Sequence, residues 1–141
     1  MSDSIHRPLP ARRQILRQRV KIAGRHNLYL DVGFYDEGQT EVGEVFIVLQ
    51  KTGADLRALM DAVARMVSIG LQHGVPIERY VELLLNTRFD PCGPVEGDAR
   101  IKFCSSPLDF VGRYLGVYHC NREDLAHLPA TEETQPEEVA Q

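Results

Sequence analysis

Leu28-Tyr29-Leu30-Asp31-Val32-Gly33-Phe34 sets Leu28, Leu30, Val32 and Phe34 on one side of the chain and Tyr29, Asp31 and Gly33 on the other. A period of two belongs to a half-buried β-strand, because successive side chains of an extended backbone point to opposite faces. The flanking stretches build this strand into a sheet. Upstream, Ile15 to Ile22 carries Leu16, Val20 and Ile22 at even positions and Arg17, Arg19 and Lys21 at odd ones, with Gln18 as the one break. Ala23-Gly24-Arg25-His26-Asn27 is the turn between the two. Downstream, Asp36-Glu37-Gly38-Gln39 closes the strand. Glu44-Val45-Phe46-Ile47-Val48-Leu49 then forms a continuous apolar run, which predicts a central strand covered on both faces. Short connections make the three an antiparallel meander.

After Gly53 the period changes to that of a helix. Leu56, Leu59, Met60, Val63, Val67 and Leu71 recur at three- and four-residue steps as the core stripe, opposite Arg57, Asp61 and Arg65, until His73-Gly74 ends the run. Pro76 opens a second helix with Ile77, Tyr80, Val81, Leu84 and Leu85 inward. Asn86 to Cys104, with Pro91, Gly93, Pro94 and Gly97, reads as loop containing a short strand near Arg100 to Phe103. In Ser106-Pro107-Leu108-Asp109, a serine cap, a proline at the first helical position and a capping-box carboxylate start a third helix, with Leu108, Val111, Leu115 and Tyr118 as its core face. The expected class is α+β: a three-stranded meander, two packed helices, a Pro/Gly-rich loop with a short strand, and a third helix.

The 141 residues are enough for one domain with a real core, and the composition, 43% hydrophobic and 26% charged, is that of a globular protein. No apolar run approaches the roughly 20 residues of a membrane helix, and Met1 to Arg13 lacks the apolar segment of a secretory signal, so a cytoplasmic location is expected. Cys92, Cys104 and Cys120 are odd in number and widely spaced, which fits free thiols. The net charge of −4 hides a polarity, with seven basic residues crowding the first 25 positions and Glu132, Glu133, Glu137 and Glu138 near the other end. Residues 1–13 are expected to be a flexible basic arm, 14–128 the folded domain and 129–141 a disordered acidic tail.

Several residues are candidates for binding an anion. At the start of the third helix, free N–H groups and the helix dipole favour negative charge, Ser105 and Ser106 offer hydroxyls, and Lys102 is close in sequence. The competing reading makes Ser106 a plain cap and Lys102 a solvated charge. Lys51, beside Thr52 and Gly53, is a second candidate phosphate contact, although the full glycine pattern of a phosphate loop is missing. Arg19, with Arg17 and Lys21, forms a basic stripe for a nucleotide or an acidic partner. The strand has no interleaved aromatics, which disfavours nucleic acid. The cysteines and histidines show no metal-ligand spacing, and no nucleophile sits beside a base, so neither a metal nor independent catalysis is expected.

Taken in order, Gly43 to Ile47, Lys51 to Ala54, Ser68 to Pro76, Thr87 to Gly97, Ile101-Lys102, Ser105 to Asp109 and Asp124 to His127 resemble the TSCPD domain at the C-terminal end of adenosylcobalamin-dependent (class II) ribonucleotide reductases. The resemblance spans about residues 13–128. It singles out Arg88 and the loop after it as a candidate binding element, where the residues alone suggest an arginine paired with a nearby carboxylate. In the reductases this domain follows a large barrel that carries the radical-generating cysteine, the redox cysteine pair, the nucleotide pocket and the cobalamin, for which 141 residues leave no room. Two departures stand out. The signature motif reads Ser105-Ser106-Pro107-Leu108-Asp109, without its cysteine, and an acidic cysteine-free tail follows Leu128 where the reductases have a cysteine-rich one. The resemblance therefore implies a free-standing, non-catalytic module of deoxyribonucleotide metabolism that holds no cofactor and either docks on a reductase catalytic chain or forms a homo-oligomer. The alternative is a small nucleotide-binding protein using Lys51, Arg88, Lys102, Ser105, Ser106 and Arg19.

Overall fold

The structure, a computed structural model, describes residues 5–130. The meander forms as β1 (Ile15–Ile22), β2 (His26–Phe34) and β3 (Val42–Leu49). Helices α1 (Ala54–Gln72) and α2 (Ile77–Leu84) follow, then β4 (Gly93–Glu96), β5 (Phe103–Cys104), α3 (Pro107–His119) and a short 3-10 turn at Glu123–Leu125. The Pro/Gly-rich segment thus contributes two strands, which complete an antiparallel sheet of order β3-β2-β1-β4-β5.

The sheet has one dry face. Leu28, Leu30, Val32 and Phe34 of β2 are fully buried with Val20 and Ile22 of β1 and Val45 and Leu49 of β3, each such side chain contributing about 1.5–3 kcal/mol. Gln18, the break in the β1 alternation, also points inward. Its Nε2 donates to Gly97 O at 2.9 Å and Arg19 O at 3.1 Å, so the amide ties β1 to the loop beyond β4. Helix α3 is buried almost all round, through Phe110, Val111, Tyr114, Leu115 and Val117, and α2 packs on it. That approach needs small residues. A Cβ on Gly112 would come within 3.0 Å of Leu84 Cβ and 3.2 Å of the Leu85 nitrogen. The core face of α3 is accordingly wider than its periodicity indicates, while Tyr118 stays partly exposed.

Two expectations need correction. The apolar run of β3 is an edge strand, with Val45, Ile47 and Leu49 buried but Phe46 44% and Val48 48% exposed. Helix α1 leaves Leu59 59% exposed instead of burying it, because α1 lies along the β3 edge and turns only Met60, Ala64 and Val67 fully inward. Both errors have one cause, since apolarity marks a buried surface only where a neighbouring element exists to cover it.

The edge itself is closed by side chains of α1. Ser68 Oγ accepts from Val45 N–H at 2.9 Å and donates to Val45 O at 3.1 Å, taking the place of a neighbouring strand, and Gln72 Nε2 donates to Gly43 O at 3.1 Å. From Ile5 to Arg13 the chain has no regular secondary structure but is tied down. Arg7 N–H donates to Gln72 O at 2.8 Å, Tyr35 OH donates to Arg7 O at 2.5 Å, and Arg13 holds the buried Glu44 at 2.5 Å. Of the expected acidic tail, residues 131–141 and all four glutamates lie outside the described residues.

Ser68→Ala removes both bonds to Val45 and leaves a strand edge unsatisfied. The expected cost is about 1–2 kcal/mol, read as a lower urea midpoint at unchanged slope.

Candidate functional site

The start of α3 is organised around a carboxylate. Ser106 caps the helix as its sequence predicts, its Oγ accepting from Asp109 N–H at 2.9 Å, with Pro107 in the first turn. Asp109 is almost completely buried. Its Oδ1 accepts from Asn86 N–H at 2.7 Å and its Oδ2 from Ser105 N–H at 3.0 Å and Arg113 Nε at 3.1 Å. The negative charge that a helix N-terminus favours is thus supplied from within the chain. Ser106 is fully buried, its hydroxyl 2.7 Å from Thr87 Oγ1, and Ser105 Oγ donates to Thr87 O at 2.8 Å.

The six candidate residues do not share one place. Lys51 lies in the turn after β3 and Lys102 just before β5, beside the two opposite edge strands of a five-stranded sheet. Arg19 stands on the outer face of β1, opposite Tyr29 of β2. That face carries aromatics that β1 lacks, since Phe46 of β3 faces Asp31, whose carboxylate takes both Arg17 Nε at 2.7 Å and Arg17 Nη2 at 2.9 Å. Cross-strand register created this neighbourhood, and no single strand revealed it.

Arg88 and Ser105 do come together. They line an open cleft of about 460 Å³ with Phe89, Asp90, Cys92 and Phe103. Phe103 stands 50% exposed at its wall. Neither Phe89 nor Phe103 stands out as a site residue in the sequence. No local period marked Phe103, because Ile101 and Cys104, three positions apart, both face inward, whereas strict alternation would have put Phe103 on the side of Ile101.

The thiols are not poised for nucleophilic chemistry. Cys92 is exposed, but a bond from its Sγ to Asp90 Oδ1 at 3.5 Å favours the protonated form and raises its pKa. Burial pushes the Cys104 thiol up to about 12 and Cys120 up to about 11. Among the described residues no three His, Cys, Asp or Glu side chains converge on a metal position, and no helix is long and apolar enough to cross a membrane.

His119, at the end of α3, packs its ring against Phe34 and Tyr114 with its buried Nε2 unpaired, and burial lowers its pKa to about 4. The unfolded imidazole titrates near 6.5, so between these values the unfolded chain binds the extra proton. His119 imposes no penalty above pH 6.5 and a growing one as the pH falls toward 4. From pH 7.5 to pH 5 the loss is about 2 kcal/mol, and His119→Phe should flatten this part of the urea-measured stability profile.

The family model of the TSCPD domain matches residues 5–119. The chain is 45% identical over 124 residues to a vitamin B12-dependent ribonucleotide reductase of Bradyrhizobium diazoefficiens, and 44% identical over 124 residues to that of Agrobacterium fabrum; each match covers 88% of this chain and 10% of the relative. The reductase of Rhodopirellula baltica is 37% identical over 118 residues, 84% of this chain and 11% of that protein. The chain therefore spans about a tenth of the length of these three relatives. No solved structure matches it. A match that runs from the tied-down N-terminal arm to the last residue of α3 takes in the whole sheet and all three helices, and the chain belongs to the TSCPD domain family.

Proposed function

We propose that this chain is a non-catalytic module of deoxyribonucleotide metabolism that docks, in the cytoplasm, on the catalytic chain of a B12-dependent ribonucleotide reductase. The observation that carries this reading is an apolar surface left open on the β3 side. Leu59, Met66 and Ile69 of α1 are each about 60% exposed, on the side turned away from the core, and Phe46 and Val48 stand out from β3. Between the two elements lies a cleft of about 350 Å³ with Val45, Phe46, Ala64 and Ile69 as its apolar lining and Glu44, Asp61 and Arg65 at its margin. Such a surface is what a domain presents where it packs on a larger body. The relatives supply the candidate body, because this fold occupies about a tenth of their length.

The chemistry of the chain supports the non-catalytic part of the reading. Its thiols are held protonated. In this reading the module holds no cofactor of its own.

The test is size-exclusion chromatography with light scattering, on the protein alone and mixed with a B12-dependent reductase catalytic chain lacking its own TSCPD domain. A complex is expected that Phe46→Glu and Ile69→Glu each weaken at least about tenfold, as for central interface residues, while Arg79→Glu on exposed α2 leaves it intact. Absence of a complex would sink the reading. A homodimer abolished by the same two substitutions would replace the reductase with a second copy as the occupant of this surface.

A further inference from the structure

Helix α1 carries two apolar stripes. Met60, Ala64 and Val67 turn inward. Leu59, Ala62, Met66 and Ile69, at steps of three, four and three, are all exposed on the side turned away from the core. Alternating three- and four-residue steps are the spacing by which one helix packs along another, each apolar side chain entering a hole between four residues of its neighbour. Among the described residues nothing covers this outer stripe. The N-terminal arm reaches only the last turn of α1, where Arg7 N–H donates to Gln72 O at 2.8 Å and the His6 ring packs on His73 with centroids 5.0 Å apart.

The outer stripe is complementary to itself. Two copies of α1 laid antiparallel about a two-fold axis level with Ala64 bring Leu59 against Ile69 of the second copy and Ala62 against Met66 of the second copy. At each end Asp55 then meets His73 of the second copy, so apolar groups meet apolar groups and a carboxylate meets an imidazole. Ala62 is small and leaves room for the long Met66 side chain. The flank of the stripe fits the same arrangement. Asp61 and Arg65, an exposed ion pair at 2.8 Å, sit at the margin of the cleft toward β3, and antiparallel pairing brings each Arg65 within a turn of Asp61 of the second copy. Opposite charges therefore alternate along that flank, and no like-charged pair is left without a partner. Four apolar residues from each copy are few against the roughly 20–30 residues a side of a standard interface, which makes the pairing weak and reversible.

We infer that the free chain forms a weak antiparallel homodimer through the outer stripe of α1. The pairing needs only a second copy and stands without the reductase docking proposed above. Ile69 belongs to both surfaces, so the two associations exclude each other, and the homodimer shields the stripe until a larger partner displaces the second copy. Phe46 separates the two, because it stands on β3 and not on the helix.

Sedimentation velocity of the full chain alone, from micromolar to millimolar concentration, is expected to show a reversible shift from monomer to dimer. Ala62→Glu and Ile69→Glu each place a carboxylate in the seam and should weaken the dimer at least about tenfold, while Phe46→Glu and Arg79→Glu leave it unchanged. All four positions are exposed, and thermal melting checks that the variants remain folded. Orientation is read from Leu59→Cys and Ile69→Cys chains that also carry Cys92→Ser. Mixed and oxidised with glutathione disulfide, the two should form the mixed disulfide several-fold faster than either forms its own. A chain that stays monomeric at millimolar concentration would overturn the inference, whether or not it binds a reductase. So would a dimer lost as readily in Phe46→Glu as in Ala62→Glu, or like chains cross-linking as fast as the mixture. A dimer that meets these tests while no reductase complex forms supports the inference and removes the docking reading alone.

Discussion

The carboxylate of Asp109 organises one half of this molecule. It is buried at the start of α3 and receives the backbone N–H of Asn86 at the end of α2, the backbone N–H of Ser105 at the end of β5, and the side chain of Arg113, which in turn donates to Leu125 O at 3.1 Å. One charge thereby holds four separate stretches of chain. Three donors, one of them a guanidinium, repay the desolvation of a buried carboxylate, and removing any of them would leave it under-satisfied. The segment from Asn86 to Ser105, rich in proline and glycine and short of regular structure, owes its definite path to that point and to the bonds around Thr87.

A second buried carboxylate plays a similar part nearby. Asp98 accepts from Arg100 N–H and Ile101 N–H, both at 2.8 Å, and from Tyr118 OH at 3.0 and 3.1 Å, so the turn between β4 and β5 is fixed to the end of α3. The buried Arg100 pairs with Glu123 and donates to Leu128 O at 3.2 Å, which draws the chain after α3 against the same turn. The half of the fold that follows α2 is therefore held by polar bonds at its turns, whereas the meander is held by its apolar face. That difference explains why the open functional candidates divide as they do. The polar half presents a cleft with an arginine, and the apolar half presents a hydrophobic surface beside β3.

The sheet is asymmetric for a related reason. Its inner face shares one core with α3, on which α2 packs, while α1 contributes to the core from beyond the edge and seals β3 with Ser68 and Gln72. A helix in that position protects the strand from pairing with another chain without covering the outer face, so Phe46, Val48, Tyr29 and the basic residues of β1 remain accessible in varying degree.

What the sequence determined by itself was everything that depends on a local period or a local cap. The alternation in β1 and β2, the Ser106-Pro107 start of α3, the stop at His73-Gly74 and the α+β class follow from spacing alone, because backbone geometry turns spacing into faces. The family resemblance was legible in the same way, as motifs in order. Tertiary structure alone decided that β3 is an edge strand, that Leu59 faces outward, that Gln18 is a buried tie to Gly97, and that Lys51 and Lys102 are at opposite edges of one sheet. It also decided that the helix dipole at α3 meets Asp109 from inside the chain, and that Arg88 and Phe103, fifteen positions apart, share a cleft. These facts concern which elements become neighbours. Neighbourhood is set by the packing of whole faces against one another, to which each residue's immediate sequence contributes only a small part.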